Sequence, residues 1–126
     1  MNHEDRGKQS NKVGHLCETK ASIFLRLKGY KIVAKNFKPK SKTGAGEIDL
    51  IGTKGNVIVF FEVKYRSTDV AYSITPQIQQ RRIKGAEYFL LLHPQFANFD
   101  IRFDVILFSP LSILPQHIEN AFQLDG

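Results

Sequence analysis

The sequence predicts one α/β domain in which helices pack on a mixed β-sheet. Its 126 residues are the usual size of a single domain. Its composition, with 42% hydrophobic and 24% charged residues, is typical of a globular protein. Helical and β periodicities follow one another in the order α-β-β-β-α-β. We expect residues 1–10 to be a flexible polar N-terminus and residues 11–126 to form the domain.

The first two predicted elements are a helix and a strand. Asn11–Lys28 has apolar residues at steps of three and four, and Gly29 follows as a stop signal. Tyr30–Phe37 has the composition of a strand. A stretch rich in lysine, serine, threonine and glycine comes next, and this composition predicts a loop.

A hairpin, a second helix and a last strand complete the prediction. Glu47–Thr53 and Asn56–Tyr65 are rich in β-branched and aromatic residues and are joined by a Lys-Gly turn, which predicts a hairpin. Pro76–Leu92 predicts a helix with proline in its first turn. Asn98–Phe108 predicts a strand, and two prolines interrupt the chain after it.

Positive charge is concentrated in the first half of the chain. The net charge is +6 overall, with +8 in residues 1–66 and −2 in residues 67–126. A polyanion such as nucleic acid is the natural partner for this half, although a solvated lysine-rich loop that aids solubility is the alternative. A membrane partner is disfavoured, because the lysines do not lie on an amphipathic helix and no apolar run approaches the roughly 20 residues of a membrane span. With the single Cys17 and no leader pattern, we expect a cytoplasmic protein.

Charged side chains interrupt both strands of the predicted hairpin. Alternation places Glu62 and Lys64 on one face of the second strand. In the first strand it places Asp49 on one face, and Ile48 and Leu50 on the other. If the hairpin brings Asp49 beside Glu62, two carboxylates and an ammonium group converge at one end of a largely buried sheet. Such charges are costly to bury unless something holds them.

Two chemistries would stabilise this cluster. A divalent cation such as Mg²⁺ binds carboxylate oxygens together with substrate phosphate and water, and the lysine would then orient the attacking water and stabilise the transition state. The alternative is a structural ion pair of Lys64 with either acid.

Two motifs and several shorter strings are similar to one protein family. The motifs are Gly46-Glu47-Ile48-Asp49-Leu50-Ile51 and Phe60-Phe61-Glu62-Val63-Lys64-Tyr65-Arg66. The shorter strings include Gly29-Tyr30, Arg82-Ile83, Arg102-Phe103-Asp104-Val105 and His117-Ile118. Together they resemble the YraN-like bacterial family, which is grouped with the PD-(D/E)XK nuclease superfamily. The resemblance implies a restriction-endonuclease-like αβββαβ core and an endonuclease that uses Mg²⁺ or Mn²⁺ to cut DNA, including branched or structured DNA.

The resemblance also implies a role for particular residues. Asp49 and Glu62 would be metal ligands, with the backbone carbonyl of Val63 as a third. Lys64 would be the catalytic lysine. Glu18, in the first helix, would be an outer carboxylate that reaches the metal directly or through water.

Substrate contacts are predicted around these residues. They are assigned to Gln79, Arg66, Lys38, Lys40 and Lys42. Gln79 stands where relatives commonly have a lysine at the start of the second helix, and its missing charge would weaken a phosphate contact. The rival interpretation is therefore a nucleic-acid-binding module of the same fold with weak or no catalysis. A homodimer is left open.

Overall fold

The computed structural model describes residues 3–40, 44–66, 74–110 and 112–123, with side chains from His15 onward. Its helices are α1 (His3–Leu27) and α2 (Pro76–Leu92), and a single 3₁₀ turn covers Pro94–Phe96. Its strands are β1 (Lys31–Phe37), β2 (Ile48–Lys54), β3 (Val57–Tyr65), β4 (Asp100–Phe108) and β5 (Gln116–Phe122). Neither helix, over the ranges described, is long and apolar enough to cross a membrane.

The strands form one sheet in chain order, β1-β2-β3-β4-β5. All neighbours pair antiparallel except β3 and β4, which are parallel and are connected through α2. A parallel pair needs such a crossover because the chain must return to the starting edge of the sheet. The mixed sheet with its two helices confirms the predicted fold class, and its order is that of a restriction-endonuclease-like core.

Each face of the sheet carries its own apolar core. On one face α1 packs against the sheet, and the buried residues are Ala21, Leu25, Tyr30, Leu50, Val59, Phe61 and Ile106. On the other face α2 packs against it, and the buried residues are Ile48, Ile51, Ile58, Phe60, Ile83, Ala86, Phe89, Phe103 and Phe122. Side chains alternate between these two cores along β3, as the period of two residues requires.

The predicted boundaries agree closely for the hairpin and for α2. Thr75 caps α2, since its hydroxyl accepts a hydrogen bond from the Ile78 N–H at 3.2 Å, and Pro76 occupies the first turn. Helix α1 begins at His3 rather than at Asn11. Strand β5 was not predicted.

Strand β5 is held by a buried carboxylate. Asp104, on β4, is fully buried and accepts hydrogen bonds from the Arg102 guanidinium, from His117 at 2.7 Å and from the Asn120 N–H at 2.9 Å. Arg102 also donates to the Tyr30 hydroxyl at 2.5 Å. Burial alone would raise the pKa of Asp104, but these hydrogen bonds outweigh it and hold the pKa below its usual value. The cluster therefore joins β4, β5 and the entry to β1.

Candidate metal and phosphate site

The end of the β2–β3 ladder positions Asp49. The last pair of the two strands is Leu50 with Phe61. Beyond it, the Val63 N–H donates a hydrogen bond of 2.8 Å to the Asp49 carboxylate. This bond fixes the Asp49 carboxylate beside β3.

The alternation expected for β2 is broken at the same point. Ile48 packs in the core beneath α2, whereas Leu50 packs in the core beneath α1. The expectation that Ile48 and Leu50 share a face is therefore wrong. Glu47 lies before the first residue of β2 and is exposed. Asp49, between these two residues, is only partly buried.

Glu62 is the most deeply placed of the candidate acids, with 4% of its side chain exposed. Its two oxygens are bound by Arg82, with Nε at 2.6 Å from Oε2 and Nη2 at 3.2 Å from Oε1. The Lys64 ammonium lies 3.5 Å from Oε1. A buried carboxylate is stable only with such partners, and Glu62 therefore has its charge balanced from α2 and from its own strand.

Two glycines bring α2 close enough for this contact. The Gly46 N–H donates to the Arg81 carbonyl at 2.8 Å, so the segment before β2 lies against the helix backbone. A Cβ atom at Gly85 would collide with the Gly46 carbonyl oxygen. The missing side chain at Gly85 lets α2 approach the start of β2 and places Arg82 over Glu62.

The pKa of Asp49, on β2, is affected by acids on β3 and α1. Its pKa is raised to about 6, first by burial, then by the charge of Glu62, with a smaller contribution from Glu18 on α1. The Val63 N–H and the Arg82 charge act in the opposite direction but do not compensate. Glu18 itself is partly buried, and His15 lies 3.9 Å from it. The predicted carboxylates therefore act on one another electrostatically, as the sequence interpretation required.

The donor set suits a hard cation. Asp49 and Glu62 are carboxylates on neighbouring strands, and burial together with the charge of Glu62 raises the pKa of Asp49. Across the described ranges, no three His, Cys, Asp or Glu side chains are close enough to hold a metal ion by themselves. A cation here would therefore be bound by the two acids with a backbone carbonyl, water or phosphate, and Arg82 would have to release one Glu62 oxygen.

The other predicted contacts lie around this centre. Lys64 is 45% exposed, and Lys38 and Lys40 are exposed in the segment after β1. Lys42 falls outside the described residues. Arg66 follows β3 directly, and its N–H donates to the Phe108 carbonyl.

Gln79 is tied to the loop that precedes its helix. Its side-chain amide donates to the Ile74 carbonyl at 2.9 Å, and the residue is partly buried. The positively charged group of α2 that reaches the acids is instead the guanidinium of Arg82, one turn further along the helix. Sequence reasoning assigned no role to Arg82. A basic residue on the sheet-facing side of α2, next to the buried Ile83, was the signal that could have identified it.

Comparison with known proteins identifies the family. The sequence model of "Uncharacterised protein family UPF0102" matches residues 17–108. A UPF0102 protein of Rhodopseudomonas palustris (strain BisB18) is 43% identical over 113 residues, which cover 88% of this chain and 80% of that protein. A UPF0102 protein of Paramagnetospirillum magneticum is 41% identical over 114 residues, covering 89% of this chain and 88% of that protein.

These matches span the whole candidate site, from Glu18 on α1 to the end of β4. The resemblance to YraN-like proteins is thereby confirmed. This chain belongs to the UPF0102 family.

Proposed function

We propose that the protein is a divalent-metal-dependent endonuclease that hydrolyses phosphodiester bonds in DNA. One arrangement supports the proposal most directly. Asp49 and Glu62 lie on neighbouring strands close enough to raise the pKa of Asp49, and the Lys64 ammonium lies 3.5 Å from Glu62. Oxygen donors for a cation and a lysine for phosphate therefore occur at one sheet end.

Each residue has a role that follows from its position. Asp49 and Glu62, with the Val63 carbonyl, would hold Mg²⁺ or Mn²⁺. The bound cation would neutralise charge on the phosphate oxygens and make water a better nucleophile. The Lys64 side chain is partly exposed, so a phosphate can reach it from solvent. Its ammonium group would then orient water and stabilise the negative charge that develops during hydrolysis.

Arg82 and Glu18 would support this centre. Arg82 holds Glu62 in place before a cation arrives, because it binds both oxygens of that carboxylate. Once a cation shares Glu62, one arm of the guanidinium becomes available for a phosphate oxygen, and a planar guanidinium is well suited to that partner. Glu18 adds negative charge from the α1 side of the site.

The distribution of charge supports DNA as the partner. The first half of the chain carries a net charge of +8, and Lys38 and Lys40 are exposed on the segment between β1 and β2. Lysines on such a surface contact phosphates and give binding that weakens with salt. Branched or structured DNA is the proposed substrate shape.

A binding module of the same fold is the second candidate. It is favoured by the Arg82–Glu62 pair, which already satisfies the acid that a cation would need. It is also favoured by Gln79, which donates to a backbone carbonyl and carries no charge toward a phosphate.

A cleavage assay distinguishes the two candidates. The full chain would be incubated with Mg²⁺ or Mn²⁺ and end-labelled single-stranded, duplex, flap and four-way-junction DNA. We expect internal cuts that chelation abolishes and that Asp49→Asn removes, whereas Glu87→Gln, at an exposed acid on α2, cuts like the parent. Salt-sensitive DNA binding with no metal-dependent product on any substrate would favour the binding module.

A further inference from the structure

A large groove lies between α1 and the carboxyl ends of β3 and β4. Its volume is about 590 Å³, which falls within the roughly 300–1,000 Å³ of small-ligand sites. The walls include Leu16 and Lys20 of α1, Tyr65 of β3, Phe108 of β4 and Ile113 of the segment before β5. Leu16, one of the apolar residues of the predicted helix, is 55% exposed because it lines this groove instead of packing under the sheet.

The groove lies at the same end of the sheet as the candidate catalytic residues, on the other face. Tyr65 follows Lys64 on β3 and pairs with Phe108 on β4, so the period of two residues places the Tyr65 side chain on the α1 face and Lys64 on the α2 face. Lys20 lies two positions after Glu18 on α1. A strand of substrate that passes from the site around this end of the sheet to the α1 face would cross the groove.

The chemistry of the walls fits a nucleobase with its phosphate. The Tyr65 side chain is 49% exposed, so a large part of an aromatic ring is open to a ligand. The remaining walls are mainly apolar. Among the lining residues that the structure describes, the only charged one is Lys20, so the groove complements an anion.

We propose that this groove binds an unpaired nucleobase of the substrate, stacked on Tyr65, with Lys20 at the adjoining phosphate. The inference rests on the proposed nucleic-acid substrate and specifies it: the DNA must present a single-stranded or extruded nucleotide next to the scissile region. Base stacking on exposed aromatic rings is tolerant of sequence, because every base has a π face. The groove would therefore select DNA structure rather than sequence.

A second copy of the chain is the competing occupant. Leu16 and the 99% exposed Ile113 would suit an apolar dimer contact. Lys20 in the wall favours a nucleotide instead, because two copies meeting here would bring this cation toward its own counterpart.

The test measures binding without cleavage. The full chain in EDTA would be titrated with a fluorescent duplex, with the same duplex carrying an oligothymidine arm, and with a version whose arm has abasic nucleotides. We expect Tyr65→Ala to weaken binding of the thymidine arm about tenfold and to leave duplex binding unchanged. Tyr65→Phe keeps the ring and should bind like the parent, as should Leu91→Ala, which changes an exposed leucine on α2.

Lys20→Gln supplies an independent variant. It should weaken arm binding. It should also make the slope of log K against log salt concentration shallower by roughly 0.7, the value for one phosphate contact on a single strand. In the parent, the abasic arm should bind about as weakly as the thymidine arm binds to Tyr65→Ala. Equal weakening of duplex and arm by Tyr65→Ala, or equal binding of abasic and thymidine arms by the parent, would overturn the proposal.

Sedimentation and a parallel cleavage assay separate the remaining outcomes. Conversion of a dimer to a monomer by Tyr65→Ala, with arm binding unchanged, would assign the groove to a second copy and overturn the proposal. If Tyr65→Ala weakens binding of the arm but not of the duplex, and the parent never cuts DNA, the nucleobase groove is supported and the nuclease proposal is refuted. Metal-dependent cutting with unchanged arm preference in Tyr65→Ala would refute the groove and leave the nuclease standing.

Discussion

Arg82 binds both carboxylate oxygens of Glu62, one through Nε at 2.6 Å and the other through Nη2 at 3.2 Å. The pair joins α2 to β3 across the face of the sheet. Two parallel hydrogen bonds fix the direction of the carboxylate as well as its charge, which a lysine at this position would not do. Glu62 is therefore held in a defined orientation, while burial and the charge of Glu62 raise the pKa of Asp49 on the neighbouring strand.

Removal of Arg82 should destabilise the fold. We expect Arg82→Ala to lower the free energy of unfolding by about 3 kcal/mol, because it leaves the buried Glu62 with only the more distant Lys64. The paired variant Glu62→Gln/Arg82→Gln should lose less, since neither charge is then left alone. Urea denaturation measures all of these variants. If the paired variant loses as much stability as Glu62→Gln and Arg82→Gln lose together as single variants, the two residues are not coupled.

Neutralising Asp49 should stabilise the metal-free protein at neutral pH. The folded pKa of about 6 lies above the unfolded value of about 4, so folding favours the protonated acid, and the parent gains stability as the pH falls through this window. We expect Asp49→Asn to be more stable by about 2 kcal/mol at pH 7, with the difference disappearing near pH 4. Urea denaturation in EDTA across this range measures it. An asparagine variant less stable at every pH would mean that the carboxylate stabilises the fold.

Lys64 should matter for chemistry and little for stability. Because its side chain is 45% exposed, we expect Lys64→Ala to change the free energy of unfolding by less than about 1 kcal/mol. The same change should reduce the proposed DNA cleavage at least about a hundredfold while metal binding persists. Lys54→Ala, at the other end of β2, is the matched control and should cut normally. Equal losses from both variants would indicate a general charge effect.

Gly85 should not tolerate even a methyl group. Alanine is favoured over glycine in helices by about 1 kcal/mol, yet its Cβ would collide with the Gly46 carbonyl oxygen. We expect Gly85→Ala to destabilise the protein by about 1–3 kcal/mol, as in other overpacked contacts. Glu87→Ala, at an exposed position of the same helix, should be nearly neutral in the same thermal melts. A more stable Gly85→Ala protein would contradict the close approach.

Asp104 should govern resistance to acid. The pKa of Asp104 is held below its usual value, so its contribution is present at neutral pH and is lost as the pH falls below about 4. We expect Asp104→Asn to cost about 3 kcal/mol at pH 7 and progressively less in acid, because the parent then loses the same charge. Acid titration followed by circular dichroism compares the two. A constant difference at every pH would assign the loss to shape rather than to charge.

The sequence predicted the fold best where local signals agree. Helix α2 has a capping threonine, a proline in its first turn and an apolar stripe, and its predicted bounds are those observed. Strand β5 lacks such signals: its residues are mostly polar, only part of one side is buried, and prolines precede it. Its place depends on Asp104, a partner distant in sequence, which no local pattern reveals.

The candidate site was predicted in its acids but not in its geometry. Alternation correctly put Glu62 and Lys64 on one face, since the backbone of β3 is regular. It failed in β2, where Ile48 and Leu50 pack in opposite cores and the Asp49 carboxylate accepts a hydrogen bond from the Val63 N–H. Arg82 was missed because helical periodicity was applied to apolar residues only, and the basic residue beside the buried Ile83 was not considered as a partner for Glu62.

The Arg82–Glu62 pair also has a consequence for the order of events during synthesis of the protein. Glu18, Asp49, Glu62 and Lys64 all belong to the part of the chain that is synthesised first, and Arg82 follows Glu62 by 20 residues. Until α2 has emerged from the ribosome and packed on the sheet, Glu62 lacks the Arg82 guanidinium that balances its charge in the interior. The docking of α2 therefore balances the charge of Glu62 and covers the second face of the sheet in the same step.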